Sequence, residues 1–519
     1  KKSLLFYEST MCTLSDAYNS LRNFIFGSLS QITSLILSFI VRSVFIHYFN
    51  LTYLGLNGLF TNILTILSLA ELGFGTVMTH ALYKPLCSKD EKKIISYMHF
   101  YAKIYKIIGV IVTLLGCSLI PFLNFFIKGN IPSDINITLL YSLFLVESIS
   151  SYFFAYKRSI LNADQKSYIC SWIHFIVLLV RSTIQIIVII LFQNFIIYII
   201  IQIFTTIFEN IYIYHKVNKI YPYLTTRQYE NLTSTELCNI KKNVYALILS
   251  NIARVAMKGS SNIIISALVG ITIVGIYSNY IMISGAVIMI LSQVFSAMTG
   301  SVGNYLVQEA QTKHLELFER LDFLNFWLYS VCAICLYLFF NPFIELWIGK
   351  QYTLDQNVVF IIVLNFILEG FLYTLWLFRS TMGLFVQGKY RPLFSTTINI
   401  IGSIILGYYW GLTGILLSTT ISRILVNVWY DPYIIYKYGL RSSVKPYYQT
   451  YLKRFSTIIG IVITSIFFIT PILKLNNKVI IILIIPIYFL ILNIVFTIIY
   501  KKNIHYKYYK NFILNIIRK

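Results

Sequence analysis

The residues best suited to bind a charged ligand lie in two apolar segments about 220 residues apart, each with a polar stripe at helical spacing. In both segments the polar positions recur every three or four residues, as on one face of a helix. In the first segment these positions are Gln31, Ser34, Ser38 and Arg42. In the second segment they are Asn251, Arg254, Lys258 and Asn262. Arg254 and Lys258 stand one turn apart and suit a diphosphate, because Arg offers a planar fork of donors and Lys a compact charge.

Other ionisable side chains also lie within apolar segments. A cation at the bilayer centre costs about 2.5 to 3.5 kcal/mol on insertion scales, so these side chains should face a cavity or one another rather than lipid. The further cations are Arg181 and Arg423, and the acids are Glu71, Glu147, Glu209 and Glu369. Two interpretations stay open for each cation: it binds substrate, or it pairs with an acid and holds helices together. The acids are candidates to carry H⁺ or Na⁺ as a coupling ion. Glu71 is the first candidate because it has no acidic counterpart in the second half of the chain, where Leu291 takes its place.

The composition indicates which kind of structural element positions these residues. Hydrophobic residues make up 57% of the 519 positions and charged residues only 12%, against about 25% charged in soluble proteins. Apolar runs of roughly 20 residues, long enough to cross a bilayer, recur along the whole chain. The sequence therefore predicts an all-α polytopic membrane protein with about 14 transmembrane helices. The predicted spans are 24–47, 53–80, 101–127, 136–157, 168–192, 195–215, 243–269, 272–303, 323–347, 355–379, 393–410, 412–437, 455–473 and 478–500.

An internal repeat predicts how these spans are organised. A shift of about 220 residues aligns Leu54-Gly55-Leu56 with Val274-Gly275-Ile276 and aligns the two polar stripes. Six spans separate the copies, so both have the same orientation, which predicts two six-helix lobes in a parallel pseudo-twofold repeat with substrate bound between them. The predicted divisions are an N-terminal lobe at 1–238, a C-terminal lobe at 239–440, and two additional helices with a basic tail at 441–519.

The Lys and Arg residues predict the orientation of the chain. Most of the 42 lie in segments on the side of the N-terminus. The cations of the opposite loops are Lys128, Lys350, Lys474 and Lys478. Because short cytoplasmic loops hold the excess of positive charge, both termini are expected in the cytoplasm. The net charge of +23 therefore follows from topology and needs no nucleic-acid partner. The basic face would also attract anionic lipid head groups of the bilayer.

Several short motifs, in order from about residue 20 to 450, resemble the bacterial O-antigen and capsule repeat-unit flippases, a branch of the multidrug/oligosaccharidyl-lipid/polysaccharide exporter superfamily. They are 53–60 (YLGLNGLF), 69–75 (LAELGFG), 81–86 (ALYKPL), 262–266 (NIIIS), 274–280 (VGIYSNY), 390–392 (YRP) and 432–433 (PY). The resemblance implies a flippase of the bacterial cytoplasmic (inner) membrane. It would move undecaprenyl-diphosphate-linked oligosaccharide to the outer leaflet, by alternating access around a cationic cavity. Polysaccharide polymerase and assembly proteins are the implied partners.

The sequence departs from this family at one position and leaves two other functions open. Relatives often carry an acid before the NIIIS segment, where Ser261 stands here, which puts ion coupling through that position in doubt. One alternative is an ion-coupled multidrug or organic-cation antiporter of the same superfamily, against which the intramembrane cations argue. The other is a membrane-embedded polysaccharide polymerase. Cys332 and Cys335 have C-x-x-C spacing, but they lie in an apolar helix with no second ligand pair nearby, and the seven His residues show no metal or triad spacing. Neither an enzyme nor a cofactor other than the coupling ion is therefore predicted.

Overall fold

The computed structural model describes the backbone of residues 2–68, 74–129, 135–226, 230–384, 387–388, 390–473 and 478–518. Within these ranges the side chains of some residues are not described. They are residues 2–21, 24, 76, 155, 239, 242–243, 246–254, 256–258, 297, 300–301, 304, 307–308, 470, 473, 478–482, 512–513 and 515–518. The regular structure of the described ranges is helical, with no strand among them.

The helices follow one another with short connections. They are α1 Lys2–Tyr48, α2 Leu51–Leu67, α3 Phe74–Cys87, α4 Glu91–Leu119, α5 Ile137–Phe154, α6 Arg158–Ala163, α7 Ser167–Phe192, α8 Phe195–Ile220, α9 Ser234–Leu268, α10 Ile271–Gln308, α11 Gln311–Trp347, α12 Gln356–Thr381, α13 Arg391–Ser422, α14 Trp429–Ile434, α15 Lys445–Leu473, α16 Lys478–Tyr500 and α17 Ile504–Arg518. Two π-helices, Arg423–Val428 and Ile435–Leu440, flank α14. The prediction of an all-α polytopic membrane protein is confirmed.

Eleven helical stretches of the described chain are long and apolar enough to cross a membrane. The difference from the predicted fourteen has a structural reason. Two predicted spans fall on apolar helices that are shorter than this limit, Leu51–Leu67 and Gly259–Leu268. Two others lie in the single stretch Arg391–Leu440, where Gly411 adopts a positive φ of 58° and breaks the helix. Predicted span 53–80 is likewise not one helix, because α2 ends at Leu67 and α3 begins at Phe74.

The chain forms two compact units, Lys1–Gly275 and Ile276–Lys519. The core of the first unit is aromatic and aliphatic, with Tyr101 and Met78 fully buried among the side chains of α3, α4 and α7. The second unit is centred on α11 and α12, where the rings of Phe318 and Phe378 meet edge to face at 5.0 Å. The lobe boundaries predicted at 238 and 440 stay predictions.

The two copies of the repeated glycine motif contact each other. A Cβ atom on Gly55 of α2 would lie 2.1 Å from the carbonyl oxygen of Ile271, and one on Gly275 would lie 2.7 Å from that of Leu51. Leu51 and Ile271 are themselves equivalent in the repeat, so the contact is reciprocal. Only glycine leaves room for this approach of two backbones.

The C-terminal helix α17 packs against α11. The ring of Tyr506 stacks on Trp327 at a centroid distance of 5.6 Å, and the Tyr509 hydroxyl donates a hydrogen bond of 3.2 Å to the carbonyl oxygen of Arg320. Sequence spacing predicts a basic amphipathic helix here. The structure adds that its aromatic face has a protein partner.

We predict that Gly55→Ala lowers the free energy of unfolding by about 1–3 kcal/mol, because the added methyl group overpacks the contact between α2 and α10. Gly285→Ala is the matched control, since it also lies in a helix and its Cβ would have no atom within 4 Å. It should leave stability unchanged or slightly raise it, because alanine favours helix. Thermal melting of the detergent-purified chain measures both. Equal melting temperatures for the two variants would contradict the contact.

Candidate functional site

A cluster of ionisable residues lies inside the first unit, where four membrane-spanning helices pack together. Helix α7 packs along α1 and α8, and α8 packs along α5. Tyr198 of α8 lies within electrostatic reach of Arg42 on α1, Arg181 on α7 and Glu147 on α5. The structure therefore brings together two of the predicted cations and one of the predicted acids.

Neutral side chains hold the carboxylate of Glu147. The amide Nε2 of Gln202 donates to both carboxylate oxygens, at 3.1 and 3.0 Å, and the hydroxyl of Thr206 lies 3.3 Å from Oε1. Gln202 and Thr206 are one turn apart on α8, so a single helix face supplies both partners. Arg181 is within electrostatic reach of Glu147 without forming an ion pair of 4.0 Å or less with it.

Arg181 stands near the middle of α7, in a helix long enough to span a membrane. Among the described residues, no carboxylate lies within 4.0 Å of its guanidinium. A cation at this depth carries an insertion cost. Such a group is suited to bind an anion that enters from a cavity.

The two other described acids are bound in direct ion pairs. In the first unit, Glu209 accepts a hydrogen bond of 2.9 Å from Arg158 Nη2, and His174 Nδ1 lies 3.2 Å from its Oε2. In the second unit, Glu369 Oε2 lies 2.7 Å from Arg423 Nη2. Arg423 also donates to the backbone carbonyl of Asn365. Arg423 is therefore held by neighbours in its own unit.

The serine and glutamine side chains of α1 form a looser polar group than their helical spacing predicts. Ser38 donates a hydrogen bond of 2.6 Å to the Ser34 carbonyl of the same helix, and Gln31 is exposed. Asn262 of α9 faces α2, with its Nδ2 atom 3.7 Å from the position of a Cβ atom on Gly58.

Four predicted site residues lie outside the described parts of the structure. Glu71 falls in the range 69–73, and the side chains of Asn251, Arg254 and Lys258 are not described. The diphosphate site predicted at Arg254 and Lys258 stays a prediction, as does coupling through Glu71.

Sequence reasoning missed the partners of these charged groups. Gln202 and Thr206 give a signal, a polar pair four residues apart within an apolar span, whereas Tyr198 gives none among 41 tyrosines. Lys157 follows α5 closely in the chain; it is 4% exposed and donates a hydrogen bond of 2.8 Å to Asn218 Oδ1. Burial lowers the pKa of the Lys157 ammonium to about 8.

Comparison with solved structures identifies the fold. The chain is similar to the lipid II flippase MurJ in an inward closed conformation, with a TM-score of 0.62, 18% identity, and coverage of 92% of this chain and 99% of MurJ. It is similar to a multidrug resistance MATE family transporter of the MOP superfamily in an inward-facing conformation, with a TM-score of 0.58, 14% identity, and coverage of 78% and 96%. The chain has the fold of MOP-superfamily transporters.

A third similar structure is a mutant form of the Vibrio cholerae MATE transporter VcmN, with a TM-score of 0.53, 15% identity, and coverage of 83% of this chain and 99% of VcmN. No protein-family model and no curated protein matches the chain. The solved structures it resembles are transporters and flippases rather than enzymes. At these identities they show the fold alone and do not separate the O-antigen branch from the rest of the superfamily.

The Glu369–Arg423 pair gives a stability prediction. Glu369→Gln leaves Arg423 without its counter-charge at an 11% exposed position, so we expect a loss of about 3–5 kcal/mol. The double variant Glu369→Gln/Arg423→Gln should recover most of this loss, because neither partner is then a buried charge.

The matched control is Lys313→Gln, which removes an exposed ion pair to Glu309 in the bend between α10 and α11 and should change stability by about 0.5 kcal/mol or less. Thermal melting in detergent ranks the variants. A double variant as unstable as the single one would show that the ion pair is not what holds these helices.

Proposed function

We propose that the chain is a flippase. It moves undecaprenyl-diphosphate-linked oligosaccharide repeat units from the cytoplasmic to the outer leaflet of the bacterial cytoplasmic membrane, for surface polysaccharide synthesis. The observation that carries this proposal is Arg181, a mid-helix cation with no carboxylate within 4.0 Å among the described residues and with Arg42 and Tyr198 close by. Two neighbouring cations at this depth suit an anionic head group inside the membrane.

The fold alone does not choose the substrate, because both MATE transporters and a lipid II flippase share it. The charge of the cluster favours the lipid-linked anion. Two arginines and one glutamate surround Tyr198, a balance that would repel the organic cation of a multidrug antiporter. The resemblance in motif order to repeat-unit flippases favours the same substrate class.

In the proposed mechanism, Arg42 and Arg181 of the first unit bind the diphosphate together with Arg254 and Lys258 of α9. Charge-assisted hydrogen bonds to phosphate oxygens are strong in a site with little water. The polyprenyl tail stays in the bilayer while the head group crosses by alternating access. Coupling to H⁺ or Na⁺, termini in the cytoplasm, and association with a polymerase and assembly proteins belong to the same proposal.

The test begins with deletion of the gene in its host, after which undecaprenyl-diphosphate-linked oligosaccharide should accumulate on the cytoplasmic leaflet. The intact gene should reverse the accumulation. Arg181→Gln should restore export at least about tenfold less well at equal expression, because one charge-assisted hydrogen bond contributes about 1.5–3 kcal/mol. The double variant Arg254→Ala/Lys258→Ala should abolish export.

Lys216→Gln is the control, because Lys216 is an exposed cation at the end of α8, away from the cluster, and it should restore export fully. Normal surface polymer and no accumulation after deletion would contradict the proposed function. Accumulation that Arg181→Gln reverses as well as the intact gene does would keep the function and exclude this site.

A further inference from the structure

A glutamate occupies equivalent sequence positions in the two units. Residues 144–147 of α5 (FLVE) align with residues 366–369 of α12 (FILE), so Glu147 and Glu369 are equivalent. Each bonds to a side chain of a later helix in its own unit, Gln202 of α8 in one case and Arg423 at the end of α13 in the other.

Gln202 and Arg423 are equivalent as well, with a one-residue offset that the structure explains. Glu209 of α8 is seven residues after Gln202, whereas its counterpart Asp431 is eight residues after Arg423. The π-helix Arg423–Val428 lies in this interval and accommodates one extra residue, while α8 is α-helical throughout.

The next ion pair follows the same pattern. Arg158 contacts Glu209 in the first unit, and Arg379 Nη1 lies 3.7 Å from Asp431 Oδ1 in the second. The units therefore share two acids at matched positions, and they differ in the partner of the first. An arginine faces Glu369, and a glutamine faces Glu147.

We propose that Glu147 binds a proton, and that the loss of its negative charge strengthens binding of the diphosphate at Arg181. The choice of Glu147 over Glu369 follows from hydrogen-bond chemistry. The guanidinium of Arg423 can only donate, so it offers no acceptor for the hydrogen that a protonated Glu369 would carry. Gln202 and Thr206 can each donate or accept, so they can satisfy Glu147 in both protonation states.

The surroundings of Glu147 favour a proton over a metal ion. A hard metal cation needs several oxygen ligands, whereas the described partners of Glu147 are an amide and one hydroxyl, with the Arg181 cation in electrostatic reach. The charged and titratable groups facing it are Arg181 from α7 and Tyr198 from α8. Helices α2 and α4 pack on α5 through apolar and small residues such as Phe60 and Gly109.

The link to substrate rests on the proposed function. Deprotonated Glu147 is the carboxylate within reach of Arg181, and it would repel a diphosphate bound there. Protonation removes this negative charge, so the proton and the diphosphate each strengthen binding of the other by the same factor. One titrating group of this kind gives an affinity that changes by at most about tenfold per pH unit.

The proton site is tested without substrate, by infrared difference titration of the purified full chain. A carbonyl band of a protonated carboxylic acid should appear as pH falls, and it should be absent in Glu147→Gln. The double variant Glu369→Gln/Arg423→Gln should keep the band. Gln202→Arg gives Glu147 the partner that Glu369 has, so it should also remove the band. A band that persists in Glu147→Gln overturns the proposal.

The linkage is tested by binding of undecaprenyl diphosphate to the full chain in nanodiscs over a pH series. Wild type should bind more tightly at lower pH, by up to about tenfold per unit. Glu147→Gln should bind tightly at every pH, because the neutral amide mimics the protonated acid. Equal pH dependence in both proteins overturns the linkage. A band that requires Glu147, with no binding of undecaprenyl diphosphate, supports the proton site and counts against the proposed substrate.

Discussion

The cost of placing charge in a hydrocarbon layer governs this structure more than any other interaction. Every ion carried into a membrane-spanning helix must find a counter-charge, a set of hydrogen bonds or a water-filled cavity. Glu209 and Glu369 find arginines, and Asp431 pairs with Arg391 and lies near Arg379. These pairs join helices that are distant in sequence, so the charges that are costly to insert also specify which helices pack together.

Where the helices carry no charge, close contact between their backbones holds them together. Without a hydrophobic driving force between helices in lipid, close packing of small residues provides much of the attraction. The reciprocal contact at Gly55 and Gly275 is of this kind, and so is the turn at Gly411, where a Cβ atom on Gly414 would lie 2.0 Å from the Leu406 carbonyl oxygen. Both arrangements depend on residues whose side chain is a single hydrogen.

The fold could be predicted from the sequence because membrane-spanning helices are recognised by the length and hydropathy of their segments. The break at Gly411 was predicted too, because one predicted span ends at 410 and the next begins at 412. The division of predicted span 53–80 was not predicted, since α2 ends at Leu67 and α3 begins at Phe74. The candidate site was predictable only as a set of charges at membrane depth. Among the described residues, Arg423 has a carboxylate partner and Arg181 has none within 4.0 Å. This difference depends on contacts between helices dozens of residues apart, and periodicity within one helix contains no such information.

The proposed proton site gives the equivalent acids of the two units different roles. An arginine partner can only donate hydrogen bonds, so the Glu369–Arg423 pair is suited to hold helices together. The same carboxylate facing Gln202 and Thr206 keeps its hydrogen bonds in either state and can therefore titrate without disrupting the helices around it. Under the proposal, the proton-binding acid differs from the structural acid by a partner that can accept a hydrogen bond as well as donate one. The equivalence of Gln202 and Arg423 places that difference at a single position of the repeat.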